Sequence, residues 1–234
     1  MNFQKIFGLP AAEIQPVCIL APFLMPGMLR ALGVQVLEPG YPYRSGNGKF
    51  GTLIHTRMGA GFVGDAVLFL RECPVKALFL LGSCGAVRDD PALALGTVVV
   101  PDEAMSLDGF AALRDGLRQP GPLSHPAPAL LSLANRHPQT ANILQIHAAS
   151  MNSVFLEESW QADLRAWNRD VIDMETAAFF LTAQAAGLPA LAVLYITDIL
   201  SKSHPYLGMN DDERHLIRGG ADQALTTVDR KSVV

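Results

Sequence analysis

The sequence has few charged residues and no long apolar run. Only 17% of its 234 residues are charged, while 50% are hydrophobic. No stretch approaches the roughly 20 apolar residues of a membrane-spanning helix. The net charge of −4 and the absence of a lysine or arginine run give no general attraction to nucleic acid. We therefore expect a core-rich protein that binds a small molecule, with no membrane and no nucleic-acid partner.

Cysteine is scarce, and its three positions lack the spacing of metal ligands. Cys18, Cys73 and Cys84 lie in apolar surroundings. Reduced thiols in a cytoplasmic protein without a metal site are the expectation. A secretory signal is the alternative, because residues 17–29 are apolar. That stretch begins late, follows Glu13 and contains two prolines, which disfavours a signal.

No linker rich in glycine, serine and proline divides the chain, so residues 1–234 are expected to form a single domain. Six or seven apolar strands alternate with segments of helical period. This order predicts an α/β fold, a three-layer sandwich around a mostly parallel, twisted central sheet. Residues 157–167 are predicted to form an exposed helix, and residues 211–228 the last helix, followed by a fraying tail.

The strand that ends at Ile172 is predicted to run directly into a helix. From Met174 the apolar period changes from two to about 3.6, and Gly187 is a plausible helix end. Glu175 therefore falls at the start of this helix, beyond the carboxyl end of a strand, where open α/β sheets bind ligands. The alternative is that Glu175 only interacts with the helix dipole.

Two further features follow strands. Asp198 ends an apolar strand of eight residues, where it either caps the next turn or faces the same cleft as Glu175. The most hydrophobic strand, residues 76–81, is predicted to open into a loop of small residues, 82–87, that contains Ser83. Small residues and a hydroxyl with free N–H groups around it can form a cradle for an anion.

The motifs Ile-Asp-Met-Glu-Thr-Ala-Ala at residues 172–178 and Tyr-Ile-Thr-Asp at residues 195–198 resemble the nucleoside phosphorylase and nucleosidase family. The resemblance covers residues 16–225. It implies that Met174 packs on a ribose and that Glu175 binds the ribose hydroxyls. It also implies that Asp198 lies at the base and that Phe155 stacks on it.

The same resemblance implies an anion site. Gly82 and Ser83 match the part of the phosphorylases that contacts phosphate, and Arg30 and Arg44 are the candidate cations. Leu80 stands where those enzymes have a phosphate-binding arginine. In the hydrolytic branch of the family an acidic residue helps to activate water, and the corresponding stretch here offers Phe23 and its apolar neighbours.

These residues predict an enzyme that cleaves the N-glycosidic bond of a nucleoside by phosphorolysis, giving free base and ribose 1-phosphate. Inorganic phosphate would be a co-substrate, and no cofactor is expected. Uridine phosphorylases contact the base with a Gln-x-Arg pair, which the stretch 150–158 lacks, and this favours a purine over uridine. Asp198 would then donate the proton that helps a purine to leave. A nucleosidase that uses water and a degenerate nucleoside-binding protein are the alternatives. The resemblance also implies a homo-oligomer, a dimer or a hexamer.

Overall fold

The structure is a computed structural model that describes residues 1–107, 109–116, 118–136, 143–200, 202 and 208–231, without the side chains of 135, 136 and 229–231. Its sheet has ten strands. They are β1 (Val17–Ala21), β2 (Glu38–Pro39), β3 (Arg44–Asn47), β4 (Thr52–His55), β5 (Ala77–Ala86), β6 (Val98–Leu107), β7 (Leu123–Ser124), β8 (Leu144–Met151), β9 (Val171–Asp173) and β10 (Ala190–Ile199).

The α-helices of the described chain connect these strands and lie on both faces of the sheet. They are α1 (Phe3–Phe7), α2 (Met28–Ala31), α3 (Ala60–Leu70), α4 (Phe110–Arg114), α5 (Pro128–Arg136), α6 (Val154–Ala166), α7 (Thr176–Ala186) and α8 (Asp211–Lys231). None of the described helices is both long and apolar enough to cross a membrane.

The strand pairings are half parallel and half antiparallel, but the two longest, β5 with β10 and β6 with β8, are parallel. Five strands close on themselves, since β10 pairs with β6, β6 with β8, β8 with β9, β9 with β5, and β5 again with β10. From β5 the sheet continues outward through β1, β4, β3 and β2. The extra strands beyond the six or seven predicted are short.

Alternation along the central strands sends side chains to two separate cores. In β5, Leu78 and Leu80 belong to the core under α3 and α7, whereas Phe79 and Leu81 belong to the core under α2, α5 and α8. A strand that is covered on both faces has a continuously apolar sequence, as β5 has up to Leu81. The arrangement of helix, sheet and helix confirms the predicted three-layer α/β sandwich.

Three local predictions are wrong in extent. The last helix continues to Lys231 instead of ending at residue 228. β5 does not open into a loop at residue 82 but continues to Ala86, because pairing with β10 extends it. The helix predicted as exposed over residues 157–167 begins at Val154 and buries one face. That face comprises Glu157, Trp160 and Leu164, which recur at helical spacing.

Helix α8 approaches the turn before β6 at a pair of glycines. A Cβ on Gly220 would lie 2.2 Å from the carbonyl oxygen of Gly96, whereas a Cβ on Gly219 would meet nothing within 4 Å. Packing therefore requires a glycine at position 220 but not at position 219, although the two residues are neighbours in one helix.

We expect Gly220→Ala to lower the free energy of unfolding by about 1–3 kcal/mol, because the added methyl group displaces backbone. Gly219→Ala is the matched control and should raise it by about 0.5–1 kcal/mol, through helix propensity alone. Denaturant unfolding of both variants measures the difference. Equal effects would show that α8 does not dock at Gly96 as described.

Candidate active site

The candidate site lies where two neighbours of β5 diverge. β5 pairs with β1 from Ala77 to Leu80 and with β9 at Gly85 and Ala86. Residues 81–84, between these contacts, pair in register only with β10 within the described part of the sheet. The fork leaves a gap beyond the carboxyl end of β1, the kind of place where ligands bind to α/β sheets.

Polar and apolar side chains from several elements line a cleft of about 140 Å³ at this fork. The lining residues are Pro22, Phe23, Met58, Ser83, Cys84, Gly85, Val154, Glu157, Ile172, Asp173, Met174, Glu175, Thr197 and Asp198. Four of these residues carry a carboxyl group, and none of the described lining residues is lysine, arginine or histidine.

Glu175 is held in place from another element. It precedes α7 with non-helical backbone, φ −135° and ψ −34°, and its Oε1 accepts a hydrogen bond of 2.6 Å from the N–H of Gly59. Gly59 has φ +109°, a conformation that favours glycine. The neighbouring N–H of Ala60 donates to Oδ1 of Asn152 at 3.2 Å. The start of α3 thereby fixes the carboxyl group of Glu175 just beyond the carboxyl end of β9.

The first turn of α7 is capped by side chains that the sequence did not single out. Asp173 Oδ2 accepts from the N–H of Thr176 at 2.9 Å, and Ser150 Oγ donates to Asp173 Oδ1 at 2.5 Å. The same serine oxygen accepts from the N–H of Ala177 at 2.9 Å. Two N–H groups at the helix start are thus satisfied without Glu175, whose side chain makes no capping bond. Glu175 is therefore free to face the cleft.

Asp198 enters the cleft through an irregularity in β10. The register with β5 shifts between Ile196 and Asp198, which is the signature of a β-bulge. Thr197 Oγ1 donates to Asp198 Oδ1 at 2.9 Å. A Cβ on Gly85 would lie 2.7 Å from Asp198 Oδ2, so the glycine makes room for this carboxyl group. Asp198 lies within β10 and lines the same cleft as Glu175, which was one of the two predicted alternatives.

Burial makes the carboxyl groups of the cleft hard to ionise. It raises the pKa of Glu175 to about 8, with a further contribution from the charge of Asp173. Burial also raises the pKa of Asp173, although bonds from Ser150 and Thr176 oppose the effect. For Glu157, burial and then the charge of Asp198 raise the pKa to about 8. The cleft therefore carries less negative charge at neutral pH than four carboxyl groups suggest.

The structure brings Ser83, Met174, Glu175 and Asp198 together in this cleft. It does not bring the predicted arginines there. Arg30 on α2 and Arg44 on β3 are exposed and are not among the residues lining the cleft. Gly82 is buried within β5, paired with Leu194, so the loop predicted to begin at residue 82 is wrong.

Phe155 is not among the residues that line the cleft, so the structure does not bring it together with Asp198, and its place on the base stays a prediction. Its side chain is 88% exposed, while the preceding residue, Val154, lines the cleft. Both belong to the first turn of α6, where a step of one residue rotates the side chain by about 100°.

Glu157 is, with Asp173, an acidic cleft residue that the sequence prediction missed. It was assigned to an exposed helix, yet its side chain is only 8% exposed. The signal was present in the spacing, because Glu157, Trp160 and Leu164 share one helical face. An acidic residue on the apolar face of a helix indicates either a buried hydrogen bond or a binding site.

A protein-family model described as the phosphorylase superfamily matches residues 31–224. A search of curated protein sequences found no significant match.

Solved structures share the fold at low sequence identity. Uridine phosphorylase from Vibrio fischeri ES114 superposes with a TM-score of 0.74 and 22% identity, over 97% of this chain and 95% of that one. AMP nucleosidase from Bacteroides thetaiotaomicron gives 0.68 and 19%, over 96% and 92%. The 5′-methylthioadenosine/S-adenosyl homocysteine nucleosidase of Campylobacter jejuni gives 0.71 and 17%, over 92% and 98%.

Both phosphorolytic and hydrolytic enzymes therefore occur among the structural neighbours. Identities this low establish the fold alone, but the family model spans most of the sequence. The chain belongs to the phosphorylase superfamily, and the family resemblance in its sequence is confirmed.

Proposed function

We propose that the protein cleaves the N-glycosidic bond of a purine nucleoside or a closely related ribosyl compound. One observation carries the proposal: Met174 and Glu175 at the end of β9 line the same cleft as Asp198 on the bulge of β10. The motif residues for the sugar and for the base thus face one space. A degenerate binding protein would keep the sugar residues but has no need of a second acid opposite them.

Glu175 is proposed to act on the sugar. Departure of the base leaves an oxocarbenium-like centre. A fixed carboxyl group that holds the hydroxyl groups stabilises the developing positive charge in its ionised form, which the positive charge itself favours. The bond from Gly59 to Oε1 orients the carboxyl group before substrate arrives. Orientation of this kind avoids reorganisation during the reaction.

Asp198 is proposed to act on the base. It would donate a proton to N7 of a purine as the bond to the sugar breaks, so that the base leaves neutral. The bond from Thr197 to Oδ1 positions one oxygen of the carboxyl group.

Water is proposed as the attacking group. No lysine, arginine or histidine stands among the described lining residues, so a phosphate dianion would lose its hydration in the cleft without gaining a cationic partner. A neutral water molecule carries no such cost, and a nearby carboxylate can take its proton.

Phosphorolysis is the second candidate, because Ser83 keeps the hydroxyl of the phosphorylase motif and lines the cleft. It requires a cation from elsewhere. In a homo-oligomer, exposed Arg44 on β3 would be available to the cleft of a second copy, and Arg30 is the other proposed source.

Release of free base from adenosine and inosine should proceed at the same rate in buffer with and without inorganic phosphate, and the sugar product should be ribose. The reason is the absence of a cation in the described cleft. Chromatography of base and sugar products measures both. A strict requirement for phosphate, with ribose 1-phosphate as the product and loss of activity in Arg44→Ala, would establish phosphorolysis instead.

Glu175→Gln should lower kcat/KM about 100-fold or more while the protein remains folded, because an amide cannot ionise as positive charge develops in the transition state. Steady-state kinetics and thermal unfolding on the same sample separate chemistry from stability. The exposed acid Glu72 provides a control, and Glu72→Gln should change neither. If Glu175 only interacts with the helix dipole, its substitution will cost about 0.3–1 kcal/mol of stability and leave the kinetics unchanged.

Asp198→Asn should abolish cleavage of inosine and adenosine but largely spare a nucleoside whose purine is methylated at N7. The methylated base already carries the positive charge that protonation would create, so it leaves without a general acid. Rates of base release for the two kinds of substrate give the comparison. Equal loss on both substrates would contradict the role assigned to Asp198, as would a wild-type protein that cleaves only uridine.

A further inference from the structure

Glu157 is a buried acid whose side chain has no protein partner in the described residues. It lies in the first two turns of α6, lines the cleft and is 8% exposed. No hydrogen bond or ion pair joins it to the rest of the described chain, whereas Glu175 and Asp173 each accept from the protein. Among the described residues, the side-chain atom that is fully buried without a hydrogen-bond partner is Asp102 Oδ1, so the carboxyl oxygens of Glu157 remain accessible from the cleft. An unpaired group facing a cleft is ready to bind a ligand instead.

The position of Glu157 is not explained by capping of its own helix. Ser153 is the N-cap of α6, and its Oγ accepts from the N–H of Leu156 at 3.4 Å. Nor does packing require an acid there, since Trp160 and Leu164 on the same face are apolar. The carboxyl group instead shares the cleft with Asp198 of β10, Asp173 of β9 and Glu175 before α7, and Asp198 is the carboxyl group whose charge affects it most.

A neutral carboxyl group suits the recognition of a base. Burial and the charge of Asp198 raise the pKa of Glu157 to about 8, so the group is mostly protonated at pH 7. It then offers one O–H donor and one carbonyl acceptor. A purine places N7 and the substituent at C6 on the same edge, so an acid that protonates N7 has the C6 substituent close by, and a second acid of the same cleft can bind it.

We propose that Glu157 is a specificity-determining residue, which hydrogen-bonds the C6 substituent of the purine whose N7 is protonated by Asp198. The inference rests on the proposed function. It restricts the substrate class to purine nucleosides with an amino or oxo group at C6. A site built to bind such a group discriminates against an analogue without it, because its own polar atoms then remain unpaired.

The test compares adenosine, inosine and the nucleoside of unsubstituted purine, each with the wild type, Glu157→Leu and Glu157→Gln. Unsubstituted purine differs as a leaving group, so the measured quantity is the preference, the ratio of kcat/KM for adenosine or inosine to that for unsubstituted purine. We expect Glu157→Leu to reduce this preference about 10- to 100-fold, through loss of activity on the C6-substituted substrates. Glu157→Gln should keep the preference within a few-fold, since an amide also offers a donor and an acceptor.

The neighbouring acid provides the matched control. Glu158 is exposed on the same helix, and Glu158→Leu should leave all three substrates unchanged. A purely structural role for Glu157 would lower the rates on all three substrates equally in Glu157→Leu, and that result would overturn the inference while leaving the proposed function intact. So would an unchanged preference in Glu157→Leu, or loss of the preference in Glu157→Gln.

Failure of the proposed function is distinguishable from these outcomes. If the wild type cleaves none of the three purine nucleosides, the proposed function and this inference both fall. If Glu157→Leu does not fold, the preference in Glu157→Gln decides alone.

Discussion

The site depends on the fork at which β1 and β9 leave the same edge of β5. A continuous sheet would satisfy every backbone group along β5 and leave no space for a ligand. Because β1 stops pairing at Leu80 and β9 begins at Gly85, a gap opens beside Ser83 without breaking the opposite ladder to β10. The bulge at Thr197 and the small residue Gly85 then admit the carboxyl group of Asp198. Backbone pairing, more than any one side chain, creates the cleft.

The fork also imposes an energetic cost, because it buries several carboxyl groups close together. The pKa values of Glu157 and Glu175 are raised to about 8, above those of an unfolded chain, so the folded protein binds more protons. Stability from this source is present below a pH of about 4.5 and is lost as the pH rises towards 8. Asp173 offsets part of the cost through its bonds to Ser150 and Thr176.

Sequence reasoning reached the parts of the site that local patterns encode. The change of period at Met174 located the start of α7 to within two residues, and the motif identified Glu175 and Asp198, which line one cleft. It failed where tertiary pairing decides. The small residues after Leu81 suggested a loop, but the partner strand β10 holds them in β5. Phe155 and Val154 differ by one helical step, and only the packing of α6 determines which of them lines the cleft.

The two steps of the proposed reaction, loss of the base and attack on the sugar, require different side chains. Stabilising a ribosyl cation and receiving its base calls for carboxyl groups, and the described lining residues supply Glu175, Asp198 and Glu157. Binding a phosphate dianion calls for cations, and the described part of the cleft has none. The exposed Arg44 would supply a cation only if it reached the cleft of a second copy, as proposed for phosphorolysis. In the proposed reaction, the attacking group would therefore depend on what the solvent or a second copy delivers, whereas the bond that breaks would depend on the carboxyl groups that the fork brings together.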